Sequence, residues 1–244
     1  MPRAAYGDDV YDRSAALYDA IYQGIGKDYA AESAEITTLI RARRPEAVTL
    51  LDVACGTGGH LQHLRDEFEV QGLEASPHMA AIARTKLGTV PVHEGDMRRF
   101  DLGRRFDAVT CLFSSIGYLR TPEELTDALT AMARHLVPGG VLVVDPWFFP
   151  DAWRDGHVTA LAASEEGVAI ARVSTSHRLG RISLLDYHYT VATSEGVDRF
   201  TERHELALFT QADYESALAD AGFGDVGFDP DAIQGRGRFV ATRG

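Results

Sequence analysis

From Val48 onward the chain alternates short apolar runs with stretches of helical spacing. Val48–Val53, Val70–Leu73, Val90–His93, Phe106–Leu112 and Val141–Val144 are apolar with little polar alternation. Between them, 60–67, 77–87 and 122–136 place apolar residues three and four apart. Strands that do not alternate, separated by helices, predict a parallel sheet buried on both faces. The helix beginning at Pro122 carries its own start signals: Thr121 as cap, proline at the first position and Glu124 three residues after the cap. Pro138-Gly139-Gly140 predicts its end.

The flanks follow other rhythms. Residues 1 to 9 are polar and predicted loose. From Val10 to about Arg44 the pattern is helical, broken by a turn at Gly24-Ile25-Gly26. Tyr11, Tyr18, Tyr22 and Tyr29 concentrate here, suited either to packing on the body or to closing a pocket as a lid. After Trp147, segments rich in Val, Ile, Tyr and Thr are divided at Glu165-Glu166-Gly167, Leu179-Gly180 and Ser194-Glu195-Gly196, predicting three or four antiparallel strands. A helix over Thr210–Ala221 and strands at Asp225–Phe228 and Arg238–Thr242 complete the chain. The expected division is a helical lid over 1–45, an α/β core over 46–146, a β insertion over 147–209 that forms a substrate-side wall, and the rest of the core over 210–244.

Composition narrows the function. The 244 residues are 45% hydrophobic and 25% charged, an ordinary globular balance. Lysine and arginine number 24 against 36 acidic residues, a formal net charge of −12. So acidic a chain is a poor partner for nucleic acid or anionic membrane, and an anionic substrate requires arginines gathered locally. No apolar run reaches membrane-spanning length and no secretory signal is visible, so a cytoplasmic protein is expected. With only Cys55 and Cys111, no disulfide framework is expected, and no Cys/His cluster has structural-zinc spacing, so no metal is expected.

The chemistry centres on Asp52-Val53-Ala54-Cys55-Gly56-Thr57-Gly58, a glycine turn between a strand and a helix. Such turns let backbone approach a small polar ligand, and dinucleotide-binding enzymes use similar ones. Glu74 ends the next strand, 22 residues after Asp52, where a carboxylate can accept both ribose hydroxyls. Asp96 and Met97 follow the third strand, the first placed to accept from an adenine amine and the second to flank its ring. In the insertion, alternate residues Arg172, Ser174, Ser176 and Arg178 share one strand face. That row suits a pyrophosphate or an exposed polar face, and Arg236 between two glycines favours the former.

These motifs, from Val48 to Val144 and again from Thr210, resemble the class I S-adenosylmethionine-dependent methyltransferases. The resemblance implies an α/β, Rossmann-like seven-stranded sheet with its last strand antiparallel, and S-adenosylmethionine as cofactor. Further stretches are Leu17-Tyr18-Asp19, Gly24-Ile25-Gly26-Lys27-Asp28-Tyr29, Phe113-Ser114-Ser115-Ile116-Gly117-Tyr118-Leu119, Asp145-Pro146-Trp147-Phe148-Phe149-Pro150 and Gly235-Arg236-Gly237. They are similar to the N,N-dimethyltransferases of TDP-linked 3-amino-3,6-dideoxyhexoses, of the desosamine and mycaminose type. That resemblance implies that Tyr18, Ala54, Gly56, Glu74, Asp96, Met97 and Leu112 line the cofactor site. It places Tyr11, Ser174, Ser176, Arg178 and Arg236 against the nucleotide sugar, puts Tyr118 near the amine, and implies a homodimer. Ala54 departs from the glycine common at its position, which a backbone in extended shape accommodates. Ile233-Gln234 replaces the family's proline and serine.

The expected reaction is in-line methyl transfer to a neutral amine, with Tyr118 positioning rather than deprotonating, because an ordinary phenol is a poor base near neutrality. Rival readings are a methyltransferase for a 4-amino sugar, a sugar hydroxyl or a small amine; a nicotinamide oxidoreductase, against which the missing third glycine argues; and a non-catalytic binding module.

Overall fold

The computed structural model describes residues 10–244. The expectation for residues 1 to 9 lies outside the described residues. Seven strands form one sheet: β1 (Thr49–Val53), β2 (Glu69–Glu74), β3 (Val92–Glu94), β4 (Phe106–Cys111), β5 (Leu136–Val144), β10 (Phe223–Asp229) and β11 (Arg238–Arg243), in the order β10-β11-β5-β4-β1-β2-β3. β1 to β5 pair in parallel, and β11 runs antiparallel to both its neighbours. The chain is therefore an α/β protein with the predicted seven-stranded sheet.

The apolar runs show little alternation because both faces are covered. Leu51 and Val53 point into one core with Phe106, Val109 and the helices α5 (Pro122–Arg134) and α6 (Gln211–Asp220). Leu50 points into the opposite core, against α2 (Tyr29–Arg43), α3 (Leu61–Leu64) and α4 (Pro77–Leu87). The predicted cap holds: Thr121 Oγ1 accepts from Glu124 N. Two boundaries differ from expectation. The helix after the glycine turn is a single turn, because the chain must reach β2 by Glu69. Pro138-Gly139-Gly140 does not terminate α5 but lies within β5, where the register jumps from Phe106↔Leu136 to Ala108↔Val141 and Gly139 takes φ +72°. The glycine absorbs the bulge that brings the strand back into line.

After β5 the chain leaves the sheet and builds a second, four-stranded antiparallel sheet in meander order: β6 (Val158–Glu165), β7 (Val168–Leu179), β8 (Ile182–Thr193) and β9 (Gly196–Ala207). The N-terminal α1 (Tyr18–Gly24) packs on this insertion, burying Ala20 and Ile21 against Ile170, Tyr189 and Val191. A Cβ at Gly24 would lie 2.7 Å from the Cβ of Ala163 on β6, so glycine permits the close approach. α1 and the insertion thus form one small core of their own, while α2, also within 1–45, packs on the main sheet through Ile36 and Ile40. Among the described residues, no helix is long and apolar enough to cross a membrane.

The parts meet at a buried ion pair. Arg238 at the start of β11 donates through Nε to Asp145 Oδ1 (2.7 Å) just beyond β5, and Asp145 Oδ2 accepts from Phe113 N (2.9 Å) after β4. Arg238 Nη1 also lies 3.0 Å from Glu35 Oε1 on α2. Removing one member strands the other charge in the interior, a loss of about 3–5 kcal/mol. Arg238→Met should therefore lower the urea midpoint at unchanged m value, by a shift that multiplied by m gives that free energy, and pairing it with Asp145→Asn should restore part of the loss.

Candidate active site

β1 delivers Asp52 to the sheet's carboxyl edge, and the chain then turns sharply. Gly56 and Gly58 take φ +57° and +78°. Ala54 takes φ +58°, so its backbone is left-handed rather than extended as expected, a conformation that costs a non-glycine residue about 1 kcal/mol. The turn is clamped by Glu74: its Oε2 accepts from Gly56 N and its Oε1 from Ser76 N, both at 2.8 Å. Burial pushes the Glu74 carboxyl above its ordinary range, opposed by these backbone donors. Asp52 is buried, accepts from Thr110 Oγ1 (2.7 Å), and is pushed up to about 7 by burial, helped by the nearby Glu74 and Asp145.

Around this turn lies a cavity of about 640 Å³ walled by Tyr18, Ala54, Gly56, Glu74, Met97 and Leu112. Asp96 is not on its wall. Its carboxylate is turned into a paired contact with Arg98 (Nη2–Oδ2 2.6 Å), which holds it below the usual carboxylate range despite partial burial. The sequence places a carboxylate after the third strand, but Arg98, two residues on, engages it. α1 reaches the turn through Asp19, which accepts from Thr57 Oγ1 (2.7 Å) and Lys86 Nζ (2.5 Å).

A second cavity of about 580 Å³ adjoins the first, between lid and insertion. Tyr11, Tyr18, Phe113, Ser115 and Tyr118 line both. At this junction the Tyr11 and Tyr118 hydroxyls are 2.7 Å apart, and Tyr118 Oη is 2.6 Å from His204 Nδ1. Tyr11 is held there by a left-handed backbone, φ +71°. Burial pushes both phenols well above their ordinary value, so both remain neutral.

The second cavity is the cationic one. Arg172, Ser174 and Ser176 on β7 face it, as does Arg236. Arg172 is 8% exposed, stacks 4.4 Å above the Tyr187 ring centre, and its Nε has no hydrogen-bond partner. The Arg236 guanidinium, lowered by burial, lies 5.6 Å from the Phe113 ring centre, and its Nε donates to Ile233 O (3.3 Å). Arg178 does not join them. It is exposed near the end of the hairpin, where Nε donates to Gly180 O (2.8 Å) and Nη1 to Pro150 O (3.4 Å). Sequence analysis does not single out His204; its signal is alternation along the strand, where buried Glu202 and His204 alternate with exposed Thr201 and Arg203.

The first cavity fits an adenosine-bearing cofactor. A Cβ on Gly56 would meet only open space, the clamped carboxylate sits beside it, and Met97 and Leu112 provide apolar walls. A glycine turn after the first strand, an acid at the end of the second and an antiparallel last strand define a class I S-adenosylmethionine-dependent methyltransferase. Comparison with known proteins agrees. A methyltransferase domain family matches residues 50–140. The chain is 49% identical over 230 residues, 93% of its length and 97% of the relative's, to the dTDP-3-amino-3,4,6-trideoxy-alpha-D-glucopyranose N,N-dimethyltransferase of Streptomyces venezuelae. It is 48% identical over 230 residues, 94% of its length and 92% of the relative's, to the dTDP-4-amino-2,3,4,6-tetradeoxy-D-glucose N,N-dimethyltransferase of Saccharopolyspora spinosa. It superposes at TM-score 0.86 and 45% identity, covering 93% of this chain and 97% of the other, on S-adenosylmethionine-bound CalS10, an amino pentose methyltransferase from Micromonospora echinaspora. The chain belongs to the S-adenosylmethionine-dependent N,N-dimethyltransferases of nucleotide-linked amino sugars.

The cofactor is a cation, so its binding should favour ionised Asp52. Because that carboxyl is neutral below about pH 7, binding there must expel a proton. Calorimetric affinity for S-adenosylmethionine should therefore rise with pH, by up to about tenfold per unit, and level off above pH 7. Asp52→Asn should flatten the slope.

Proposed function

We propose that the protein transfers two methyl groups in succession to the amine of a dTDP-linked 3-amino-3,6-dideoxyhexose in antibiotic sugar biosynthesis. The observation that carries this reading is the second cavity. The buried guanidinium of Arg172, the partly buried one of Arg236 and two serine hydroxyls on its far wall suit a pyrophosphate, and its near end opens onto the cofactor cavity at the Tyr11–Tyr118 pair. The formal net charge of −12 makes this local gathering of arginines the more pointed. The 3-amino relative from S. venezuelae supports the acceptor. The 4-amino relative, nearly as similar, supports a second reading in which the amine sits one ring position away.

The bound cofactor supplies an electrophilic methyl group on a sulfonium. The chain's own residues supply position. Tyr18 and Tyr118 wall both cavities and bring amine and methyl donor into line, and such alignment is worth up to about 7–11 kcal/mol. Tyr11 and Tyr118, neutral phenols, orient the amine by hydrogen bonding. Lid and insertion exclude water. Arg172 and Arg236 hold the nucleotide end, so a sugar lacking the diphosphate would lose binding rather than chemistry.

We further propose a cytoplasmic homodimer. The outer face of the insertion exposes the cross-strand pairs Ala160–Val173 and Ala162–Ala171, an apolar patch that supports self-association. Sedimentation should give twice the monomer mass, and Val173→Lys should shift it toward monomer.

Incubation of TDP-3-amino-3,6-dideoxyglucose with enzyme and cofactor should show gains of one and then two methyl groups by mass spectrometry; no gain rejects the acceptor. Arg172→Ala should raise KM for the sugar at least about tenfold with kcat little changed. Tyr118→Phe should lower kcat by less than about a thousandfold with cofactor binding intact.

A further inference from the structure

The tyrosine pair does not end at Tyr118. Its hydroxyl is 2.6 Å from His204 Nδ1, and His204 Nε2 faces Glu202 Oε2 at 3.8 Å, just outside hydrogen-bond range. His204 Nε2 is buried without a hydrogen-bond partner. Glu202 is anchored by the lid, its Oε2 accepting from Ser14 Oγ (2.6 Å) and its Oε1 from Ser14 N (3.1 Å). The order is hydroxyl, hydroxyl, imidazole, carboxylate, running from the junction of the cavities into the insertion sheet.

We propose that His204 is the proton acceptor for the substrate amine, acting through Tyr118 and Tyr11, with Glu202 holding the imidazolium that results; this rests on the amino-sugar reading above. An amine is a nucleophile only when neutral, yet an amino sugar arrives largely as its ammonium form. Neither phenol can serve as the final base, since each is buried and a bare phenolate there is costly. A transfer along the chain avoids one. The ammonium N–H bond breaks and its proton goes to the Tyr11 oxygen. Tyr11 passes its own proton to the Tyr118 oxygen, and Tyr118 passes its proton to His204 Nδ1. The electron pair stays on the substrate nitrogen. The first methyl transfer yields a protonated secondary amine, so the same transfer precedes the second. Imidazole is the side chain whose ordinary titration lies closest to neutrality, and it can release the proton between turnovers.

The groups facing His204 fit an imidazole that must gain and lose a charge. Tyr11 from the lid, Tyr118 from its 3-10 turn and Tyr187 from β8 surround the ring, with centroids at 5.0, 6.0 and 4.9 Å. Glu202 is the buried carboxylate on its own strand. Arg172 of β7 stacks on the Tyr187 ring, and Glu202 offsets its charge. As a positioning residue, His204 is separated from a merely structural part by its dependence on pH.

The test is kcat and KM for the amino sugar from pH 6.5 to 9.5 in wild type, His204→Gln and His204→Phe, with S-adenosylhomocysteine affinity as the measure of folding. Gln still accepts the Tyr118 hydrogen bond but takes up no proton. Both variants should lose about a hundredfold in kcat near pH 7. The loss should shrink to within about fivefold at pH 9.5, where the amine arrives neutral, and S-adenosylhomocysteine affinity should stay within about threefold at every pH. A His204→Gln enzyme as active as wild type, or a loss equal at all pH values, overturns the relay while leaving the amino-sugar activity standing. A variant that no longer binds S-adenosylhomocysteine overturns it too, since His204 would then be holding the fold. Failure of the wild type itself to methylate the sugar overturns the acceptor reading and the relay together.

Discussion

Asp145 and Arg238 form the contact on which the arrangement of the site depends. The carboxylate closes the end of β5 and receives the guanidinium of β11 and the amide of Phe113, while the guanidinium also reaches Glu35 on α2. Phe113 and Ser114 both sit in left-handed conformations, and Ser114 Oγ donates to Pro146 O, so the loop that carries Tyr118 is locked against the segment that opens the insertion. Four stretches distant in sequence are thereby fixed to one buried charge. A buried pair contributes little net stability, because desolvation offsets attraction, but it imposes one arrangement.

What is fixed there is the meeting of two unlike cavities. One is built from the glycine turn and carries carboxylates, suited to a cationic cofactor. The other is built from lid and insertion and carries guanidiniums, suited to an anionic nucleotide. Their shared wall is aromatic and neutral. Burial of Tyr11 and Tyr118 makes their phenols weaker acids rather than stronger ones, so the junction orients an amine and cannot by itself hold its proton. The imidazole behind it is the group of the right chemistry for that.

The α/β core was legible because each of its features is local. The apolar runs name the strands, Thr121 and Pro122 name a helix start, and the Asp52–Gly58 turn with Glu74 names the cofactor edge, since each depends on residues within a strand and turn of one another. The arrangement departs from the pattern where a neighbour from elsewhere intervenes. Pro138-Gly139-Gly140 reads as a helix stop, yet β4 draws it into the sheet as a bulge. Asp96 reads as a ligand carboxylate, and Arg98 takes it. Arg178 shares the alternation of Arg172, Ser174 and Ser176, but β7 runs past the end of the cavity before reaching it, and the arginine closes on Gly180 and Pro150 instead.

The sequence by itself determined the class of fold and the cofactor that goes with it, because periodicity and glycine turns are written along one dimension. The tertiary structure alone decided which arginines meet, that Tyr11 touches Tyr118 across 107 residues, and that His204 stands behind them. The reason is physical: a hydrogen bond between lid, loop and insertion leaves no mark on the pattern of any one of them. It exists only once the ion pair at Asp145 has brought their ends together.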